Sequence, residues 1–94
     1  MPSLEPTRAV LGEVLAERLR QDEKWGEQNH LPEGYSTILG EEVGEVCRAI
    51  LEYRFGNGPL HNIRLELIQV AAVAVAFVEC LDRGKWKGEW KKDE

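Results

Sequence analysis

Three carboxylates fall within about one helical turn in the run Glu41-Glu42-Val43-Gly44-Glu45. Residues three and four apart share a helical face, and like charges at that spacing cost about 0.2–0.5 kcal/mol per pair. Gly40 and Gly44 make the segment poorer still as a helix, because each glycine costs about 1 kcal/mol relative to alanine in a helix interior. A divalent cation would turn the repulsion into attraction, and glycines one turn apart would let a backbone or a ligand come close. Further along, Glu66 and Gln69 share a face at the polar start of a segment that then turns apolar. In an antiparallel hairpin turning near Gly56–Gly58, Glu45 and Glu66 reach similar heights. Magnesium takes octahedral oxygen ligands and is held by one or two carboxylates plus substrate phosphates, which a cluster of Glu42, Glu45 and Glu66 suits. The ordinary fate of such an acidic run is a solvated face, but the paired glycines and the facing Glu66 favour a site.

Three helices must position these residues. The first starts at Thr7 as N-cap after Pro6, and Val10, Leu11, Val14, Leu15 and Leu19 form its buried stripe. A polar loop with Gly26, Pro32 and Gly34 follows, carrying Trp25-Gly26-Glu27-Gln28-Asn29-His30 as a candidate site element. For Trp25 and His30 the ordinary alternatives are a packed loop aromatic and a surface imidazole. Ser36 is the expected N-cap of the second helix, which runs to about Phe55 with Leu39, Val43, Val46 and Ile50 inward. The third spans about Asn62 to Asp82, closed by Gly84, and is apolar nearly all round from Val70 to Val78. Three helices of one chain hardly enclose such a segment, so a second subunit is expected to complete a four-helix-type bundle. Residues 1–94 thus read as one all-α domain of three main helices, with a charged tail, 85–94, that carries Trp86 and Trp90.

Composition narrows the partners. A domain of 94 residues buries only about 60–65% of its unfolded surface, which favours self-association. The net charge of −5 argues against duplex nucleic acid, because phosphate binding there rests on basic patches. A nucleotide phosphate would need a metal mediator. Cys47 and Cys80 lie far apart inside helical patterns and are expected to be buried, reduced thiols. The run Val70–Val78 is about half of the roughly 20 residues a membrane span requires. Met1-Pro2-Ser3-Leu4-Glu5 lacks a signal-peptide pattern, so a cytoplasmic location is expected.

These residues resemble the MazG-like branch of the all-α NTP pyrophosphohydrolase superfamily, whose signature is Glu-x-x-Glu on one helix and Glu-x-x-Asp on the next. Glu42-Val43-Gly44-Glu45 matches the first half. Glu66-Leu67-Ile68-Gln69 matches the second, with Gln69 where the family usually has Asp. The segment from Arg20 to His30 also looks like the approach to the site in such proteins, and the resemblance spans about residues 15–82. It implies magnesium-dependent hydrolysis of a nucleoside triphosphate between the α and β phosphates, giving a monophosphate and pyrophosphate, with clearance of non-canonical nucleotides as one use. By position it makes Glu42, Glu45 and Glu66 metal ligands and Gln69 a weakened or water-mediated one, puts Trp25, Asn29 and His30 near base or sugar, and brings Lys24 to a phosphate. Manganese is an alternative cation. A metal lowers the pKa of bound water and neutralises charge on phosphoryl oxygens, and Glu41 or Glu45 is then placed to accept the proton. A neutral amide at Gln69 removes one negative charge and should lower metal affinity.

The reading is therefore a pyrophosphohydrolase acting on nucleoside triphosphates, dimeric or tetrameric. The alternative is a non-catalytic dimeric helical module that binds nucleotide or a protein partner after losing metal competence at Gln69.

Overall fold

In the computed structural model, which describes residues 2–88, the chain forms helices α1 (Glu5–Trp25), α2 (Pro32–Phe55) and α3 (His61–Arg83), then a 3-10 turn over Lys85–Gly88. Proline sits in the first turn of both α1 and α2, where its missing N–H is no loss and its fixed φ suits a helix. Those prolines move both starts upstream of the expected caps. Leu4 precedes α1 in place of Thr7, Leu31 precedes α2 in place of Ser36, and neither gives a side-chain cap. Gly84, at φ 70° in the left-handed region, ends α3 as the sequence predicts, its N–H donating to the Cys80 carbonyl.

Helix α3 is the central element: it packs against α2 on one side and α1 on the other, while α1 and α2 do not pack on each other. Tyr35, early in α2, stacks on Phe77, late in α3, with ring centroids 5.0 Å apart, so these two helices are antiparallel. Helix α1 runs the same way as α3: Arg64, near the start of α3, binds Glu13, and Glu79, late in α3, binds Arg18, further along α1. The core is split accordingly. Tyr35, Val73, Ala76 and Cys80 form one buried cluster, with Trp86 packed against it, and Val14, Ile68 and Ala72 form the other.

Much of the expected core lies open. Of the stripe assigned to α1 only Val14 is buried, while Val10, Leu11, Leu15 and Leu19 are exposed. The face of α1 that meets α3 carries Val14, Glu17 and Arg18 instead, because ion pairs share that seam. In α2, Val43 and Ile50 are exposed, and in α3 so are Val75 and Val78, so one chain does not enclose the apolar run. Cys47 is exposed, contrary to expectation, and Cys80 is buried as expected. The radius of gyration, 15.9 Å, exceeds the roughly 12 Å typical of a compact domain of this length. Tail residue Trp90 lies outside the described residues. Among the described residues no helix is long and apolar enough to cross a membrane.

Candidate functional site

The spread of α1 away from α2 leaves a cleft of about 830 Å³ floored by α3. Its wall from α1 includes Glu17, Arg18, Arg20, Lys24 and Trp25; α2 contributes Tyr35 and Glu42, and α3 contributes Gln69, Glu79 and Arg83. Among the lining residues six carboxylates, Glu17, Asp22, Glu27, Glu42, Glu79 and Asp82, outnumber four bases, Arg18, Arg20, Lys24 and Arg83. A polyanion entering this cleft needs additional positive charge.

Glu42 is the sequence-predicted acid that faces the cleft. Its burial, and then the negative charges of Glu66, Glu45, Glu41 and Glu17, hold its carboxyl above the ordinary pKa. Glu42 is therefore the acid on which the charges of these four neighbours bear. Glu66 and Gln69 are half-buried on α3, while Glu41 and Glu45 are exposed and Glu45 lies 3.7 Å from the Arg48 guanidinium. Gly40 and Gly44 face open space, with nothing in the chain within contact distance of an added Cβ. The close approach they were expected to permit is absent within the chain.

The donor set is oxygen-only, which is the chemistry that magnesium or manganese prefers. Among the described residues, however, no three His, Cys, Asp or Glu side chains converge on a point that would hold a metal ion. Holding one between Glu42, Glu45 and Glu66 would require these side chains to converge. Gln69 lines the same cleft as Glu42, from α3.

The loop residues divide. Trp25 is the last residue of α1 and is 60% exposed at the cleft rim, with Lys24 Nζ lying 4.7 Å over its ring. Packing in a core is thus ruled out for Trp25. Asn29 and His30 do not line the cleft. Asn29 donates to Glu27 Oε2 at 2.8 Å and accepts from Arg83 Nε at 2.9 Å, and His30 meets the Tyr35 ring edge-on at 5.0 Å. Both positions belong to a clasp that binds the loop to the end of α3. In it Arg83 also donates to the Gln28 carbonyl at 2.9 Å, Lys85 donates to Glu27 at 2.7 Å, and the Cys80 thiol donates to the His30 carbonyl at 3.4 Å. The hydrogen bond from Lys85, then that from Asn29, brings the Glu27 carboxyl down to a pKa of about 2.

Sequence reasoning missed Glu17, which at 8% exposure is the one buried charged residue among the described residues. Arg20 donates to its Oε1 through Nε at 2.8 Å, and Nη2 lies 2.6 Å from the same oxygen, the pairing that a buried carboxylate requires. Its signal was the position three residues after Val14, on the face that meets α3. Arg18, also missed, is largely buried and bonds Glu79, Asp22 and Gln21. Burial opposes its charge, and the hydrogen bond and attraction of Glu79, with Asp22 adding, more than restore it.

No protein-family model, curated protein or solved structure matches the chain.

Proposed function

We propose that this chain is a magnesium-dependent nucleoside triphosphate pyrophosphohydrolase, in line with its resemblance to the MazG-like family. The observation that supports it most is one cleft that carries Glu42 and Gln69 beside buried Glu17 and also the exposed ring of Trp25 with Lys24 over it. Glu42, Glu45 and Glu66 would hold the cation with Gln69 as a neutral fourth donor, and the cation supplies charge neutralisation at the phosphoryl oxygens. The chain itself does the rest. Trp25 offers an exposed face for a base, Lys24 offers a charge beside it, and Glu41 or Glu45 accepts the proton of the attacking water.

Self-association belongs to the same reading. Gly40, Val43, Gly44, Cys47 and Leu51 recur at helical spacing on the outer face of α2, all exposed. A second copy laid on that face would bring a backbone against the two glycines that lack a neighbour here, and would reduce the apolar exposure of the separate chain.

One observation favours the second reading, a non-catalytic nucleotide-binding or partner-binding module: the acids do not converge and Gln69 carries no charge. The two part in a single assay. Pyrophosphate release from a panel of canonical and modified nucleoside triphosphates, with and without magnesium, should show magnesium-dependent turnover of at least one substrate. Binding without release under every condition selects the module.

A further inference from the structure

The four cations that line the cleft differ in what they are bound to. Arg18 is 12% exposed and taken up by Glu79, Asp22 and Gln21. Arg83 holds the loop through Asn29, the Gln28 carbonyl and Glu27. Lys24 rests over Trp25. Arg20 has a 64% exposed side chain whose Nε and Nη2 are fixed on a single oxygen of buried Glu17. Among the described residues its Nη1 has no partner. A guanidinium oriented by one carboxylate, with both Nη1 protons directed elsewhere, is pre-organised to take an anionic oxygen.

Placement gives this cation a direction. Arg20 and Lys24 are four apart on α1, so they share a face and stand about 6 Å apart along the axis. Trp25 follows Lys24. On its other side Arg20 lines a smaller cavity, about 190 Å³, in the α1–α3 seam with Glu17, Ile68 and Gln69. The order along the cleft is therefore aromatic ring, Lys24, Arg20, then the end occupied by Glu17 and Gln69.

We infer that Arg20, oriented by Glu17, anchors the phosphate end of the bound nucleotide, with the polyphosphate running along α1 from Lys24 to Arg20 and the base at Trp25. This inference rests on the nucleoside triphosphate reading and adds its polarity. Because Arg20 lies a full turn beyond Lys24, it reads how many phosphates the ligand carries. A triphosphate and free pyrophosphate reach it, and a monophosphate seated by its base does not.

The test is calorimetric titration of the full chain, with magnesium present, using a non-hydrolysable α,β-methylene nucleoside triphosphate, the matching monophosphate, and inorganic pyrophosphate. Arg20→Gln should weaken the triphosphate analogue and pyrophosphate by about tenfold or more, the scale of a lost charge-assisted hydrogen bond, and leave the monophosphate within about twofold. Arg20→Lys, which keeps the charge over Glu17, should recover part of the loss. Equal weakening of all three ligands by Arg20→Gln together with a lower melting temperature overturns the inference, since Arg20 then serves only to neutralise Glu17. Unchanged triphosphate and pyrophosphate affinity in Arg20→Lys and Arg20→Gln overturns it as well. Wild type that binds the analogue while the variants are indifferent defeats this inference alone, whereas wild type that binds no analogue at all defeats the nucleotide reading with it.

Discussion

Glu42→Gln should make the metal-free protein more stable at neutral pH. Glu42 has no hydrogen bond or ion pair among the described residues, and its carboxyl is pushed up first by burial and then by Glu66 and Glu45. Two like-charge neighbours at about 0.2–0.5 kcal/mol each give a gain of about 0.4–1 kcal/mol when the charge is removed. For a domain of this size that is a rise in melting temperature of about 2–8 °C. The sign with pH follows from the direction of the shift. A carboxyl whose folded pKa lies above its unfolded value, 4.5, binds its proton more tightly when folded, so its ionisation costs stability as pH rises through that window. The gap between variant and wild type should therefore be full at pH 7 and close as pH falls below about 4.5. Calorimetric melting from pH 4 to pH 8 measures it, and magnesium with a nucleotide analogue should reverse the order, because the carboxylate then gains a counter-charge. A variant less stable than wild type at pH 7 without metal, or a gap indifferent to pH, would refute the idea that Glu42 is the strained member of an acidic cluster.

Two other outcomes follow from exposure. Trp25→Ala should leave the melting temperature unchanged, since the ring is already 60% exposed, and raise KM by about tenfold or more, as loss of a stacking face does; a large loss of stability with unaltered kinetics contradicts its role at the rim. Gly44→Ala meets no atom in the chain and should stabilise α2 by about 1 kcal/mol in a monomer, yet it should shift light scattering toward smaller species if a second copy packs there; wild type that scatters as a monomer at micromolar concentration removes the interface.

The three helices were legible because apolar periodicity and Gly/Pro punctuation are local signals, and Gly84 ends α3 where the pattern stops. The starts of α1 and α2 were misplaced because Pro6 and Pro32 fit the first turn without a polar cap. What the pattern could not give was which face of α1 turns inward. Leu11, Leu15 and Leu19 suggest one stripe, but the seam with α3 is held by Val14 together with Glu17 and by the pairs Arg18–Glu79 and Glu13–Arg64. Such pairs join residues more than fifty positions apart, and spacing along one helix does not reveal them. Glu17 and Arg20, only three positions apart, escaped notice because the buried face of α1 was not legible, whereas the contacts of Asn29 and His30 with the end of α3 join residues 54 and 50 positions apart. Glu42, Gln69, Lys24 and Trp25, all singled out in the sequence, line one cleft, because local helical register sets their positions on the three helices.

The central claim is that Glu42, Glu45, Glu66 and Gln69 act together on a magnesium-bound triphosphate. Its most direct test is magnesium-dependent pyrophosphate release by wild type, Glu66→Gln and Gln69→Asp, with magnesium affinity titrated on the same samples in the presence of a non-hydrolysable analogue. The account predicts release by wild type, near-abolished turnover in a still-folded Glu66→Gln, and tighter magnesium binding in Gln69→Asp. Wild type that binds no magnesium with nucleotide present, and a Glu66→Gln variant indistinguishable from it, would contradict the account.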